Sequence, residues 1–368
     1  MRSVILIIFF LALGNACKKS TGTSSAVPTT TKTTYSAWNP PLGDSIPGGI
    51  ILAEGWSTPK LVASPVNYTQ NGGWSDSVTV SRDGKTIYFG YTPVDYFIFE
   101  TTQAMQTTGP VRTSDQTTNA FQIYQATITS TGFTLSKHPA NVSASTWAAS
   151  QGINLDQDLM AFTTFVFSPS YKTEIYLAQK SGNNWNQLGA LGSPVNGSGH
   201  CEDDNPFIIG NLTSATVYFE SKRTDLAGTT CGNRTRIYYT EFSNGSYSNA
   251  ALVPGINGTG NGQYDVDTQF AVLENKQTAF WTSIRNNTYA IHTADWSVNT
   301  FTNVRPILTI SATSPPYANK IVRIGEPSVA ELTEGYVMYF TCGIAQGDTA
   351  GNDPDNIQLR ICFSKKAK

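Results

Sequence analysis

One pattern decides what this chain can become: a short strand that ends on a large aromatic residue, written five times. Tyr88-Phe89, Ala161-Phe162, Tyr218-Phe219, Phe280-Trp281 and Tyr339-Phe340 fill the same slot, between 57 and 73 residues apart. In the clearest copies the preceding strand starts thirteen residues earlier, at Asp76, Pro206 and Pro327. Between the two strands lies a turn, Ser81-Arg82-Asp83-Gly84 or Thr333-Glu334-Gly335, whose glycine supplies the positive φ of a tight hairpin. A third strand follows each time, around Ile123-Tyr124, Ile175-Tyr176, Ile237-Tyr238, Ile291-His292 and Leu359-Arg360-Ile361. The first four repeats add a fourth strand, such as Trp185–Gly189 leading into Ser193-Pro194-Val195-Asn196. The last repeat runs out of chain, but Trp56–Asn67, ahead of the first repeat, copies the fourth-strand pattern down to Ser64-Pro65-Val66-Asn67. Antiparallel units of four strands, the last completed by an N-terminal strand, describe an all-β ring: a five-bladed β-propeller. A sixth blade would need a copy hidden between Tyr91 and Asn119, a stretch that reads better as a long loop.

Composition agrees with strands and disagrees with helices. Only 14% of residues are charged while 11% are aromatic, which suits β-branched and aromatic strands joined by polar turns. The net charge of −2, with no basic cluster in the folded part, excludes nucleic acid as an expected partner.

The N-terminus reads as a processing signal. Arg2 is followed by an apolar core from Val4 to Leu13, too short to span a bilayer. Gly14-Asn15-Ala16-Cys17 then resembles the cleavage site of a bacterial lipoprotein signal, which implies a lipid on Cys17 and an exported chain anchored to the cell envelope, facing the periplasm or the cell surface. An ordinary secretory signal is the alternative. The expected division is a signal over 1–16, a Ser/Thr/Pro-rich tether over 17–47 and the propeller over 48–368, acting as a monomer that meets the membrane through its lipid alone. The remaining cysteines, Cys201, Cys231, Cys342 and Cys362, are even in number, as expected for two disulfides in an exported protein. Three pairings are possible; Cys201 with Cys231 and Cys342 with Cys362 fit the strand order best.

The first repeat, Asp76-Ser-Val-Thr-Val-Ser-Arg-Asp-Gly-Lys-Thr-Ile-Tyr-Phe89, resembles the WD40-like (PD40) repeat of TolB-type propellers, and Ser221-Lys222-Arg223 and Ser283-Ile284-Arg285 match the Ser-X-Arg that often follows it. That resemblance implies a binding module of the cell envelope. No Gly-X-Ser-X-Gly elbow occurs, so a peptidase function does not carry over.

Chemistry is expected where the first strands rim the central channel. Alignment on the aromatic slot places there Trp74 and Asp76, Trp147, Glu202, Asp203 and Asp204, Tyr264, Asp265 and Asp267, and Glu326. The expected function is a binding module for an envelope protein or glycan. The alternative rests on a second resemblance, to five-bladed glycoside hydrolases of the arabinanase type, which implies Asp76 as base, Glu326 as acid and Asp204 or Asp267 as tuner of their pKa values. An Asp76–Glu326 separation of roughly 5–10 Å would keep that alternative alive. The bland alternative is that acids at this position cap backbone groups. No cofactor is expected; Ca2+ stays open at Asp265/Asp267, Glu202/Asp204 or Asp348/Asp353/Asp355, whose oxygens are hard ligands without EF-hand order. His138, His200 and His292 lack zinc spacing.

Overall fold

The computed structural model describes residues 34–67, 73–93, 121–136, 147–166, 172–182, 184–258, 263–286, 288–297, 300–349 and 356–368. Three short strands come first, β1 (Leu42–Ser45), β2 (Ile50–Leu52) and β3 (Lys60–Val62). Blade one is β4 (Trp74–Val80), β5 (Thr86–Thr92), β6 (Gln122–Thr129) and β7 (Gly132–Ser136). Blade two is β8 (Trp147–Ile153), β9 (Leu159–Val166), β10 (Lys172–Ser181) and β11 (Asn184–Ala190). Blade three comprises β12 (Asp204–Gly210), β13 (Ser214–Arg223), β14 (Cys231–Ser243), and the short β15 (Ser246–Tyr247) and β16 (Ala251–Leu252), both paired with β14. Blade four is β17 (Gln263–Leu273), β18 (Lys276–Arg285), β19 (Thr288–Ser297) and β20 (Thr300–Ile310); blade five is β21 (Ile321–Glu331), β22 (Gly335–Ala345) and β23 (Ile357–Ala367).

All pairings are antiparallel, and the ring closes as expected: β3 lies beside β23, with Leu61 opposite Cys362. The chain adds more than that one strand. β1 extends blade five beyond β3, and β2 becomes a fifth strand of blade four beside β20. The folded body therefore reaches back before residue 48, and Ala37 and Ile46 are buried in it. Cys17 and most of the expected tether lie outside the described residues, as does 94–120, nearly all of the stretch weighed for a sixth blade. Among the described residues the sheets number five.

The aromatic slot has a structural reason. Each slot residue stands directly opposite the third-strand ring: Phe89 opposite Tyr124, Phe162 opposite Tyr176, Phe219 opposite Tyr238 and Trp281 opposite His292. The ring centroids are 6.0, 6.0, 6.0 and 5.5 Å apart, within the range where aromatic pairs attract. In blade five the partner of Phe340 is Cys362, bonded to Cys342. The second expected bridge, Cys201–Cys231, is also formed. Between neighbouring blades the outward faces of these strands meet in five apolar clusters, one per interface, each filled from both sides.

The Ser-Pro-Val-Asn motif is explained as well. The Asn67 amide donates to the carbonyls of Val62 and Ile361, both at 2.7 Å, and accepts from the Ile361 N–H at 2.7 Å. Asn196 treats Ile175, and Asn257 treats Ile237, in the same way. One buried amide thus replaces the ladder where the fourth strand leaves the third.

Candidate active site

The site is built from an irregularity that every innermost strand shares. In β4, β8, β12, β17 and β21 the register with the second strand slips at the same point, and β21 slips once more near its start. The residue at the slip has a left-handed backbone in all five: Ser77 (φ 55), Ser150 (φ 52), Asn205 (φ 44), Asp267 (φ 59) and Glu326 (φ 52). None is glycine, so each holds a conformation that costs about 1 kcal/mol or more. A β-bulge turns its residue out of the alternating pattern and re-aims it; here it aims five side chains around the channel. They hold one another in place. Ser77 donates from its hydroxyl to Glu326 Oε1 at 2.8 Å, the Glu326 N–H donates to Asp267 Oδ2 at 3.1 Å, and Asn205 Nδ2 donates to Asp267 Oδ1 at 2.7 Å.

Above this ring opens a cavity of about 430 Å³, walled by Asp76, Asn205, Glu220, Asp267 and Glu326 with Tyr264, Tyr289 and Arg323. Glu220 enters from the second strand of blade three, in the position directly after the aromatic slot. Its counterparts are Gly90, Thr163, Thr282 and Thr341, each opposite the residue just before a bulge. Glu220 Oε1 accepts the Asp267 N–H at 3.0 Å. Glu326 accepts at Oε2 from the Ser77 N–H at 2.6 Å and from Thr341 Oγ1 at 2.7 Å, while the same N–H reaches Asp76 Oδ1 at 2.9 Å. Asp76 and Glu326 thus accept the same amide proton, which brings their carboxyl groups together at one point of the ring.

Five carboxyls thus follow one arc: Asp76, Glu326, Asp267, Glu220 and Asp204, from blades one, five, four and three. From blade two, Ser150 stands at the bulge and Thr163 lies opposite Ala149, the residue just before it. Crowding of like charges in a partly desolvated funnel favours the neutral acid. Burial first, then Asp76 and Asp267, holds the Glu326 carboxyl well above the usual range. Burial, then Asp267 and Asp204, does the same to Glu220. Burial also raises Asp204 to about 6 against the pull of Thr163, and raises Asp267 to about 6 against Thr282 and Arg323.

The arc gathers four of the acids expected from sequence, Asp76, Asp204, Asp267 and Glu326, and leaves out Asp203, Asp265 and Glu202. Asp203 is wholly buried with Arg223, which donates to it at 2.6 Å and also to the carbonyls of Pro194 and Val195. Asp265 accepts both Arg285 Nη2 contacts, at 2.9 and 2.8 Å, together with the Trp281 indole N–H and the Gly258 N–H. Both acids are clamps within the scaffold, and their carboxylates are fully occupied. Glu202 pairs with Lys222 at the rim. Tyr264 lines the cavity as expected. Trp74 touches it but is buried against Phe121, centroids 4.8 Å apart, and the half-buried Trp147 packs against the same apolar cluster.

The expected acid and base, Asp76 and Glu326, stand side by side, because two neighbouring bulges aim them at the same Ser77 amide. Glu220 was missed because the rim was sought ahead of the first strand; the signal was a Glu where the other repeats have Gly or Thr after the aromatic slot. His292 packs on Trp281 and burial lowers its pKa; His138, Asp353 and Asp355 lie outside the described residues. Among the described residues no group of three or more His, Cys, Asp or Glu is arranged to hold a metal ion.

No family model matches the chain, and no curated protein matches it. Solved structures do match. The chain is similar to the catalytic domain of a family 62 α-L-arabinofuranosidase from Coprinopsis cinerea, at 8% identity and TM-score 0.49, over 88% of this chain and 98% of that one. It is similar to a family 117 glycoside hydrolase from Zobellia galactanivorans, at 12% identity and TM-score 0.47, over 88% and 91%. A thermostable family-43 glycoside hydrolase gives 13% identity and TM-score 0.46, over 81% and 91%. At such identities the likeness is one of fold. It corrects the WD40-like, PD40 or TolB-type resemblance, since the repeat signature behind it is the generic one of strand, Asp-Gly turn and aromatic strand. The envelope binding module that this family resemblance implied falls with it; the lipid on Cys17 rests on the N-terminal signal, outside the described residues. The reading as a plain binding module is corrected as well: the solved structures alike in fold are glycoside hydrolases, and the funnel gathers five carboxyls, four of which burial raises above the usual range.

Proposed function

We propose that this chain is a glycoside hydrolase-like enzyme that cleaves a glycan in the funnel above the bulge ring. The observation that carries the reading is the facing of two acid units across one cavity. On one side Asp76 and Glu326 accept the same Ser77 N–H. On the other stands Glu220, contributed by a blade that adjoins neither of theirs. A glycosidic bond needs both a proton donor for the leaving oxygen and a carboxylate for the other face of the sugar. Glu220, its carboxyl kept neutral by burial and by Asp267 and Asp204, supplies the proton to the leaving oxygen. Asp76, on the Glu326 side of the cavity, serves the opposite face. Asp267 stands between the two units, its carboxylate bonded through the Glu326 N–H and its own N–H bonded to Glu220, and sets how strongly each holds its proton. Tyr264 and Tyr289 on the wall offer ring edges and hydroxyls to a sugar.

The test is a hydrolysis screen over plant and algal polysaccharides and chromogenic glycosides, wild type beside Glu220→Gln and Asp76→Asn. Each substitution should lower kcat by about 10²–10⁴-fold with binding retained. A wild type that binds a glycan without cleaving it, or a Glu220→Gln protein as active as wild type, would sink the reading.

A further inference from the structure

A second cavity opens away from the funnel, at the outer end of the interface between blades four and five. Its volume is about 390 Å³, close to that of the funnel. It exists because the apolar cluster joining these blades stops short of their outer edges: Phe280 and Ile307 are the last buried side chains, and Trp56 and Tyr336 stand at the margin. One wall is a single face of blade four. Lys276, Thr278 and Phe280 alternate along β18, Thr278 and Phe280 stand opposite Asp295 and Thr293 of β19, and Arg305 stands opposite Thr293. The other wall is blade five, where Tyr336 lies opposite Lys366 and Lys366 bridges to Trp56. Gly55 (φ +85) lets the Lys366 stem lie close, since a Cβ there would meet its Cε at 3.0 Å.

The charges are as telling as the shape. Lys276, Arg305 and Lys366 converge on the slot, and among the described residues none of them forms an ion pair. The nearby C-terminal lysines are engaged: Lys368 with Glu331, and Lys365 with Asn39 and the Trp38 carbonyl. The two carboxylates in the slot already have partners. Glu274 accepts the Tyr336 hydroxyl, and Asp295 accepts Asn303 Nδ2 at 2.6 Å. What is left for a ligand is an apolar floor, an indole, the face of the Tyr336 ring, two buried threonines and three cations without an ion pair, of which Arg305 also donates from Nη1 to the Asn303 carbonyl at 3.1 Å.

We propose that this slot is a second glycan-binding site, specific for an acidic saccharide whose carboxylate meets Arg305 and Lys366 while its ring rests on Trp56. Sugars present an apolar face that packs on aromatic rings, and a carboxylate is the group Arg recognises through paired N–H donors. A neutral sugar would leave the cations without an ion pair. The inference goes beyond the funnel reading and stands or falls without it.

Titration calorimetry with uronate trisaccharides (galacturonate, glucuronate and mannuronate) and a neutral arabinose trisaccharide tests it. At least one uronate should bind, with Kd rising as salt is added, and the neutral sugar should not bind at this site. Trp56→Ala and the exposed-site reversal Arg305→Glu should each weaken binding tenfold or more, whereas Glu220→Gln should leave it unchanged. Arg305→Glu changes a surface residue, so loss of binding there cannot be loss of fold, and its unchanged thermal midpoint would confirm this. The proposal is overturned if no uronate binds, if the neutral trisaccharide binds equally, or if Glu220→Gln abolishes binding while Arg305→Glu does not.

Discussion

Asp267 is the residue on which the funnel turns, because both acid units touch it. Its carboxyl is raised to about 6 by burial, above the value near 4 expected of an unfolded Asp. The folded state therefore keeps a proton that the unfolded state has released. Its contribution to stability is full below about pH 4 and is lost as pH rises through about 6. Asp267→Asn, which mimics the protonated form, should gain on wild type across that window. Water in the funnel screens part of the effect, so a gain on the order of 1 kcal/mol is expected in urea titrations at pH 4 and pH 7. A constant difference between the two proteins would refute it. Arg223 shows the opposite logic. Removing it strands Asp203 as a buried, unpaired charge, so Arg223→Met should cost about 3–5 kcal/mol, and adding Asp203→Asn should recover part of that. Asp203 and Asp204 are neighbours in the chain, one a clamp and one a member of the arc. Their sequence reads the same for both; only the strand geometry, which sends adjacent side chains to opposite faces, assigns the roles. Ser77 and Glu326 likewise carry no mark of a left-handed backbone, since neither is the glycine that would announce it.

Blades were far more legible than sites. Aromatic slots, third strands and fourth strands all stand where their spacing put them, because cross-strand ring pairs and buried faces impose a pattern that survives in residue type. β1 and β2 were not legible: at four and three residues they carry no periodicity, and tertiary pairing alone makes them strands. The Asn of Ser-Pro-Val-Asn was visible as a repeat, while its purpose needed the hydrogen bonds. Asn67→Ala and Asn196→Ala should each cost about 2–3 kcal/mol by leaving the N–H of Ile361 or Ile175 buried without an acceptor. Their footprints should differ. Hydrogen exchange should speed up at both chain ends in Asn67→Ala and within blade two alone in Asn196→Ala; identical footprints would contradict the ring-closing role of Asn67.

As a whole molecule the propeller was foreseeable, from a motif copied at the wrong end of the chain. The placement of two acids side by side was not, because it depends on two bulges in different blades agreeing in phase. Deleting the chain through Ala63 would remove β1, β2 and β3 together and leave β23 as a bare edge. That protein should lose its single cooperative transition and self-associate; a monomer melting like wild type would show that the closing strands are dispensable. The same closure also has a consequence in time. Leu61 is made before any blade is complete, and its partner Cys362 belongs to the third strand of blade five. The early strands must wait, unpaired, until all the blades between have been synthesised. Loop closure over such a distance is slow, so the last step of folding is also the first moment at which the molecule has no exposed end for another chain to join.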